Sequence, residues 1–154
     1  MPKHFEYSVL LSSNPEEVFR ILTDRRYTGN SKVLRDVGWK DGPPWQPGST
    51  RIAETFVPFH SVHTQRVLAR RDNELLEVIS HGFGYTMHLE IVLRRASLTE
   101  GTEVDYLIDI EGKLPLLFGF VIEEFVSRFM EAYLAELIQV CHDPAVFLTS
   151  RDAA

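Results

Sequence analysis

The chain has 154 residues, 44% of them hydrophobic and 25% charged, which is the size and balance of one globular domain and excludes an intrinsically disordered chain. A formal net charge of −6 at pH 7, with Lys and Arg scattered rather than gathered on a stripe, opposes phosphate backbones and excludes nucleic acid as the expected partner. Cys141 is the single cysteine, so no internal disulfide forms, and a reducing, cytoplasmic setting is expected.

In chain order, Phe5, Tyr7, Val9 and Leu11 alternate with Glu6, Ser8 and Leu10, the period of a strand covered on one face. Next, Asn14-Pro15-Glu16-Glu17 predicts a helix start: Asn14 accepts from a free backbone N–H, Pro15 suits the first helical position, and Glu17 can complete a capping box. Val18, Ile21 and Leu22 give that helix an apolar side, lost by Asp24, and Gly29-Asn30-Ser31 marks a break or a second short helix. A short strand over Val33 to Trp39 leads into the Pro- and Gly-rich loop Lys40 to Gly48.

Five further strands are expected over Thr50–Val57, Ser61–Arg70, Glu74–Ser80, Tyr85–Leu93 and Thr102–Glu111, joined by turns short enough for hairpins. The last is the clearest, with Val104, Tyr106, Ile108 and Ile110 against an acidic row of Glu103, Asp105, Asp109 and Glu111 that faces water. From about Leu116 to Cys141 the period becomes helical. Phe118, Ile122, Phe125 and Phe129 form one stripe, which rotates to Met130, Leu134, Leu137 and Cys141. So wide an apolar arc must be covered on more than one side, and a curved sheet is the only large surface available. The reading is an α+β domain: six to seven antiparallel strands around a long C-terminal helix, with one or two short helices after the first strand. One domain is expected over residues 1–143, followed by a tail over 144–154. The apolar run Tyr7–Leu11 is too short for a signal peptide, and Leu114 to Ile122 falls well short of the ~20 residues that span a bilayer, so no targeting segment and no membrane insertion are expected.

Three segments, in this order, resemble the START-like, Bet v 1-like superfamily that includes polyketide cyclase/dehydrase proteins. They are Leu11-Ser12-Ser13-Asn14-Pro15-Glu16-Glu17-Val18-Phe19 with Leu22-Thr23-Asp24 after it, Glu100-Gly101-Thr102-Glu103-Val104, and Gly112-Lys113-Leu114-Pro115-Leu116 leading into the long helix. The resemblance covers nearly the whole chain. It implies a helix-grip fold with a cavity for a hydrophobic or amphipathic small molecule, in a family whose members act as binders, carriers, cyclases or regulatory subunits. It carries over no catalytic residue.

The residues themselves suggest no cofactor. His60 and His63 straddle a turn and a strand start, where their spacing points them to opposite faces, and no other metal-ligand set is recognisable. Cys141 sits on an apolar helix stripe, where a thiol usually packs. No Gly-x-Ser-x-Gly elbow and no nucleotide-binding glycine loop occur. Glu54 shares a strand face with Ile52 and Phe56. If that face is inward, its carboxylate is paired, protonated or functional, and Arg66, alongside Val62, Thr64 and Leu68, neutralises it or a ligand's acid group; the opposite strand phase sends both to solvent. Tyr85 and Tyr106 are the phenols best placed to face a cavity, and Phe118, Ile122, Phe125 and Phe129 form its floor or plug it. The expected function is binding of a hydrophobic small molecule, with Phe125, Phe129, Tyr85 and Tyr106 as walls and Glu54 with Arg66 orienting. A cyclase or dehydratase acting in the same cavity is the alternative. A third reading is an interaction module with a filled core and an exposed Trp45 in the Pro-rich loop, although that Trp can equally fold inward as a lid.

Overall fold

A computed structural model of the protein describes residues 3–82, 84–97, 100–112 and 119–142. In chain order the elements are β1 (Lys3–Leu11), α1 (Pro15–Thr23), α2 (Arg25–Thr28), β2 (Leu34–Asp41), β3 (Thr50–Thr55), β4 (Ser61–Arg71), β5 (Leu75–Gly82), β6 (Tyr85–Arg95), β7 (Thr102–Gly112) and α3 (Gly119–His142). The strands form one seven-stranded antiparallel sheet of order β1-β7-β6-β5-β4-β3-β2. Strands β2 to β7 are a meander, and β1 returns to pair with β7. The expected segment Lys113 to Phe118 and the tail over 144–154 lie outside the described residues.

The β1/β7 edge shows how the alternation works. Phe5, Tyr7 and Val9 pack against the core, and Leu11, Val104, Tyr106, Ile108 and Ile110 lie within it. On the outer face, residues directly opposite in register pair through their side chains: His4 with Asp109 at 2.7 Å, and Ser8 donating to Asp105 at 2.6 Å. The acidic row therefore lies on the outer face, in contact with polar partners. Register shifts between Val67 and Ala69 in β4, and at two places between β2 and β3, bend and twist the far half of the sheet into the curve that surrounds α3.

Asn14 caps α1 by accepting the Glu17 N–H at 2.9 Å, with Pro15 in the first turn. The capping box is only half used, because the Glu17 carboxylate turns forward and accepts from Arg20 Nε at 3.2 Å. Asp24 ends this helix and starts α2 by accepting the Arg26 N–H at 2.8 Å. Helix α1 buries Val18, Phe19, Ile21 and Leu22 over one end of the sheet.

Helix α3 buries Val126, Met130, Tyr133, Leu137, Val140 and Cys141, a repeat of four and three that makes one continuous stripe, while Glu124, Arg128, Glu131 and Ala135 stay exposed. Ile122, Phe125 and Phe129 flank the stripe and are only partly buried. At its C-terminal half the helix is held by Ser13 Oγ, which donates to the Cys141 carbonyl at 3.2 Å, and by Glu136, which accepts from the Ser31 hydroxyl at 2.5 Å and the Lys32 N–H at 2.9 Å. Among the described residues, no helix is long and apolar enough to cross a membrane.

Leu137 is fully buried and its neighbour Ile138 is 48% exposed. Chemical denaturation is expected to show Leu137→Ala losing about 2–5 kcal/mol and Ile138→Ala no more than about 0.5 kcal/mol. Equal losses would contradict this rotation of the helix.

Candidate functional site

Between the concave face of the sheet and α3 lies a cavity of about 520 Å³, inside the range of about 300–1,000 Å³ typical of small-molecule sites. Leu76, Val78, Leu89 and Ile91 form its sheet wall, and Ile122, Phe125, Phe129 and Met130 its helix wall. Phe59, Val62 and Val121, each more than half exposed, rim the opening. The Phe59 and Phe125 rings meet edge to face at 5.3 Å and join the β3–β4 turn to α3. Tyr85 also stands on the wall, across the strand pair from Gly82; a Cβ on Gly82 would lie 2.4 Å from the Tyr85 ring, so glycine is what admits the phenol here.

Of the six residues singled out from the sequence, Tyr85, Tyr106, Phe125 and Phe129 all line this cavity. Phe125 and Phe129 leave it open rather than plugging it. Glu54 and Arg66 do not line it. The strand phase is the one that sends them outward: β3 buries Arg51, Ala53 and Thr55, and β4 buries His63, Gln65 and Val67. Glu54 instead accepts from exposed His60 at 2.8 Å, and Arg66 lies opposite Thr50 in register, four positions along from Glu54. The inward reading fails because Ile52 and Phe56 are tolerated outside. Phe56, for example, is covered by the Arg35 guanidinium at 4.8 Å.

The inward face of β3 and β4 carries the polar side of the cavity. Arg51 is 4% exposed, and its Nε and Nη2 donate to Gln65 Oε1 at 2.9 and 2.6 Å. The guanidinium stacks over Trp45 at 4.4 Å and lies 5.8 Å from the Trp39 ring. Trp45, at φ 61°, is buried, so the Pro-rich loop folds inward as a lid and does not present an exposed anchor. Burial pushes the guanidinium down to about 10, opposed by Asp36 and Tyr133, which leaves it charged at neutral pH.

The hydrogen bonds fix the protonation of the next residue. With Gln65 Oε1 accepting from Arg51, the Gln65 amide nitrogen faces His63 Nε2 at 3.3 Å and donates to it. The neutral imidazole therefore carries its proton on Nδ1, which is buried and has no partner among the described residues. Burial, with Arg51 beside it, pushes His63 down to about 4. Tyr106 and Tyr133 also line the cavity; Tyr106 donates to the Tyr133 hydroxyl at 3.2 Å, and burial raises Tyr133 to about 12. Cys141 is pushed up to about 11 by burial and is a protonated core thiol. Among the described residues, no three His, Cys, Asp or Glu side chains gather into a metal-binding group.

Arg51, His63, Gln65 and Tyr133 were not singled out from the sequence. In β3 the inward set Arg51, Ala53 and Thr55 is less apolar than the outward set Ile52, Glu54 and Phe56, so hydrophobic alternation points the wrong way. The one available signal was Val67, which shares the face of His63 and Gln65 and lies opposite Val78.

No protein-family model and no curated protein matches the sequence. Solved structures do match. The Zhui aromatase/cyclase from Streptomyces sp. R1128 superposes with a TM-score of 0.72 at 14% identity, over 92% of this chain and 94% of that one. Protein CV1439 from Chromobacterium violaceum gives 0.70 at 15% identity, over 92% and 98%. Ara h 8.0201 gives 0.65 at 12% identity, over 90% and 99%. At these identities the likeness shows a shared fold.

The shift of His63 sets a pH dependence. The unfolded imidazole takes its proton near 6.5 and the folded one near about 4, so the unfolded state binds the proton first. Stability from this residue is complete above about pH 6.5 and is lost as pH falls toward 4. Between about pH 7 and pH 4.5 this amounts to on the order of 2–3 kcal/mol, which His63→Gln should remove from the pH dependence of unfolding. An imidazole NMR titration centred near 6.5 would contradict the burial.

Proposed function

We propose that this domain, which has the helix-grip fold of the START-like, Bet v 1-like superfamily, binds one small apolar molecule between sheet and helix and acts as a carrier. The observation that carries this reading is the unfilled volume of about 520 Å³ behind an opening rimmed by apolar side chains. An interaction module with a filled core leaves no such space, and its Trp45 would be outside rather than stacked on Arg51. Apolar walls supply the driving force for an apolar guest, and the few polar groups on one side give it an orientation.

One observation favours a second reading, a cyclase or dehydratase. His63 is neutral, lies beside a cation, and sits on the wall where a folded poly-β-carbonyl chain would contact it. This fits the similarity to an aromatase/cyclase. Its test is mass spectrometry of such a chain incubated with the protein. Loss of one water with the wild type but not with His63→Gln supports it, and an unchanged mass with both rejects it.

The carrier reading is tested by titrating the neutral fluorophore N-phenyl-1-naphthylamine. Saturable one-to-one binding is expected. Met87 lines the cavity, and Met87→Trp is expected to weaken binding by about tenfold or more by taking up the space. Phe125→Ala should admit bulkier probes. Binding that is indifferent to both changes would place the fluorophore elsewhere and reject the reading.

A further inference from the structure

Arg51 is a cation enclosed in an apolar cavity without an ion-pair partner. Among the described residues no carboxylate lies within salt-bridge distance of it, although Asp36 acts on its charge from further away. Trp39 Nε1 donates to Asp36 Oδ2 at 3.0 Å, and Asp36 Oδ1 is buried with no hydrogen-bond partner among the described residues. What Arg51 does have is one neutral acceptor, Gln65 Oε1, and the faces of two indoles. Two of its three nitrogens are used in this way. The third, Nη1, makes no hydrogen bond among the described residues, and Arg51 lines the cavity. Buried charges in proteins are ordinarily paired, and an unpaired one is retained where something else completes it.

His63 and Tyr133, which also line the cavity, carry further donors. His63 presents an N–H at Nδ1 with no acceptor among the described residues. Tyr133 uses its oxygen to accept from Tyr106, so its own O–H remains to be donated. Tyr133 and Arg51 are close enough to shift each other's protonation, and Arg51 also lowers that of His63. The cavity wall thus offers an Arg side chain without a carboxylate partner, an imidazole N–H and a phenol O–H. Such a set suits an acceptor-only group, and the planar guanidinium fork suits a carboxylate.

We infer that the ligand is an amphipathic monocarboxylic acid, its apolar body in the cavity and its carboxylate completing Arg51 with His63 and Tyr133 as further donors. A phosphate dianion is disfavoured, because a single enclosed cation faces otherwise apolar walls. The inference rests on the carrier reading and names the chemical class of its guest.

The test is displacement of N-phenyl-1-naphthylamine from the full-length protein by matched pairs: dodecanoic acid against dodecanol, and 2-naphthoic acid against 2-naphthol, at neutral pH. The acid of each pair is expected to displace at about tenfold lower concentration or better. In Arg51→Met that ratio should fall to near one, and in Arg51→Lys, which keeps the charge but loses the fork, it should be intermediate. Equal displacement by acid and alcohol in both pairs, with the fluorophore bound, overturns the inference and leaves the carrier reading standing. An acid preference that survives Arg51→Met also overturns it. If neither fluorophore nor acids bind, both readings fail. If Arg51→Met does not fold, Arg51→Lys takes its place: an acid preference undiminished in that variant overturns the inference.

Discussion

One helix cannot fill a seven-stranded sheet. With strands about 4.8 Å apart, seven of them span about 29 Å, whereas an α-helix with its side chains is about 10–12 Å across. Helix α3 lies along the concave face and buries one stripe, and the remaining width has to be closed by something else. Helices α1 and α2 close one part with Phe19, Leu22 and Tyr27, and the loop after β2 closes another with Trp45. The space left between these covers and the flanks of α3 is the cavity. It follows from the dimensions of the elements, and Phe125 and Phe129 border it because they stand beside the buried stripe rather than on it.

The same geometry explains why a charged side chain is tolerated inside. Arg51 points to the concave face because strand phase leaves it no alternative, and the loop from β2 is shaped around it. Trp45 adopts a left-handed backbone conformation and places its ring on the guanidinium. Backbone hydrogen bonds from Gly48 N to the Val67 carbonyl at 2.8 Å and from Val67 N to the Ser49 carbonyl at 3.0 Å tie that loop to β4, the strand that supplies Gln65 and His63. Arginine, glutamine, imidazole and indole thus come from adjoining strands and one connection. A change in any of them reaches the others through short contacts.

Much of the fold was legible in the sequence. The alternation of β7 was unambiguous because its two faces differ sharply, with Val104, Tyr106, Ile108 and Ile110 against carboxylates, and Asn14-Pro15 fixed the start of α1 through an elementary hydrogen bond. Tyr85, Tyr106, Phe125 and Phe129 were identifiable because they are large, apolar and in register with the covered face. The polar side was not legible. In β3 and β4 both faces are mixed, so hydrophobicity could not choose a phase, and a one-residue slip exchanges Glu54 and Arg66 for Arg51 and Gln65. Only the pairing of Arg51 with Gln65 and of Ala53 with His63 resolves it, and that is a fact about neighbouring strands. The fate of Trp45 depended likewise on a guanidinium from another element.

Whether the space between sheet and α3 holds a guest decides the function proposed for this domain. Native mass spectrometry of the protein purified without denaturant, followed by organic extraction, addresses it most directly. A retained small molecule at one-to-one stoichiometry, released on unfolding, is expected. A clean mass of the bare chain that stays unchanged after incubation with a broad panel of apolar molecules would contradict that function.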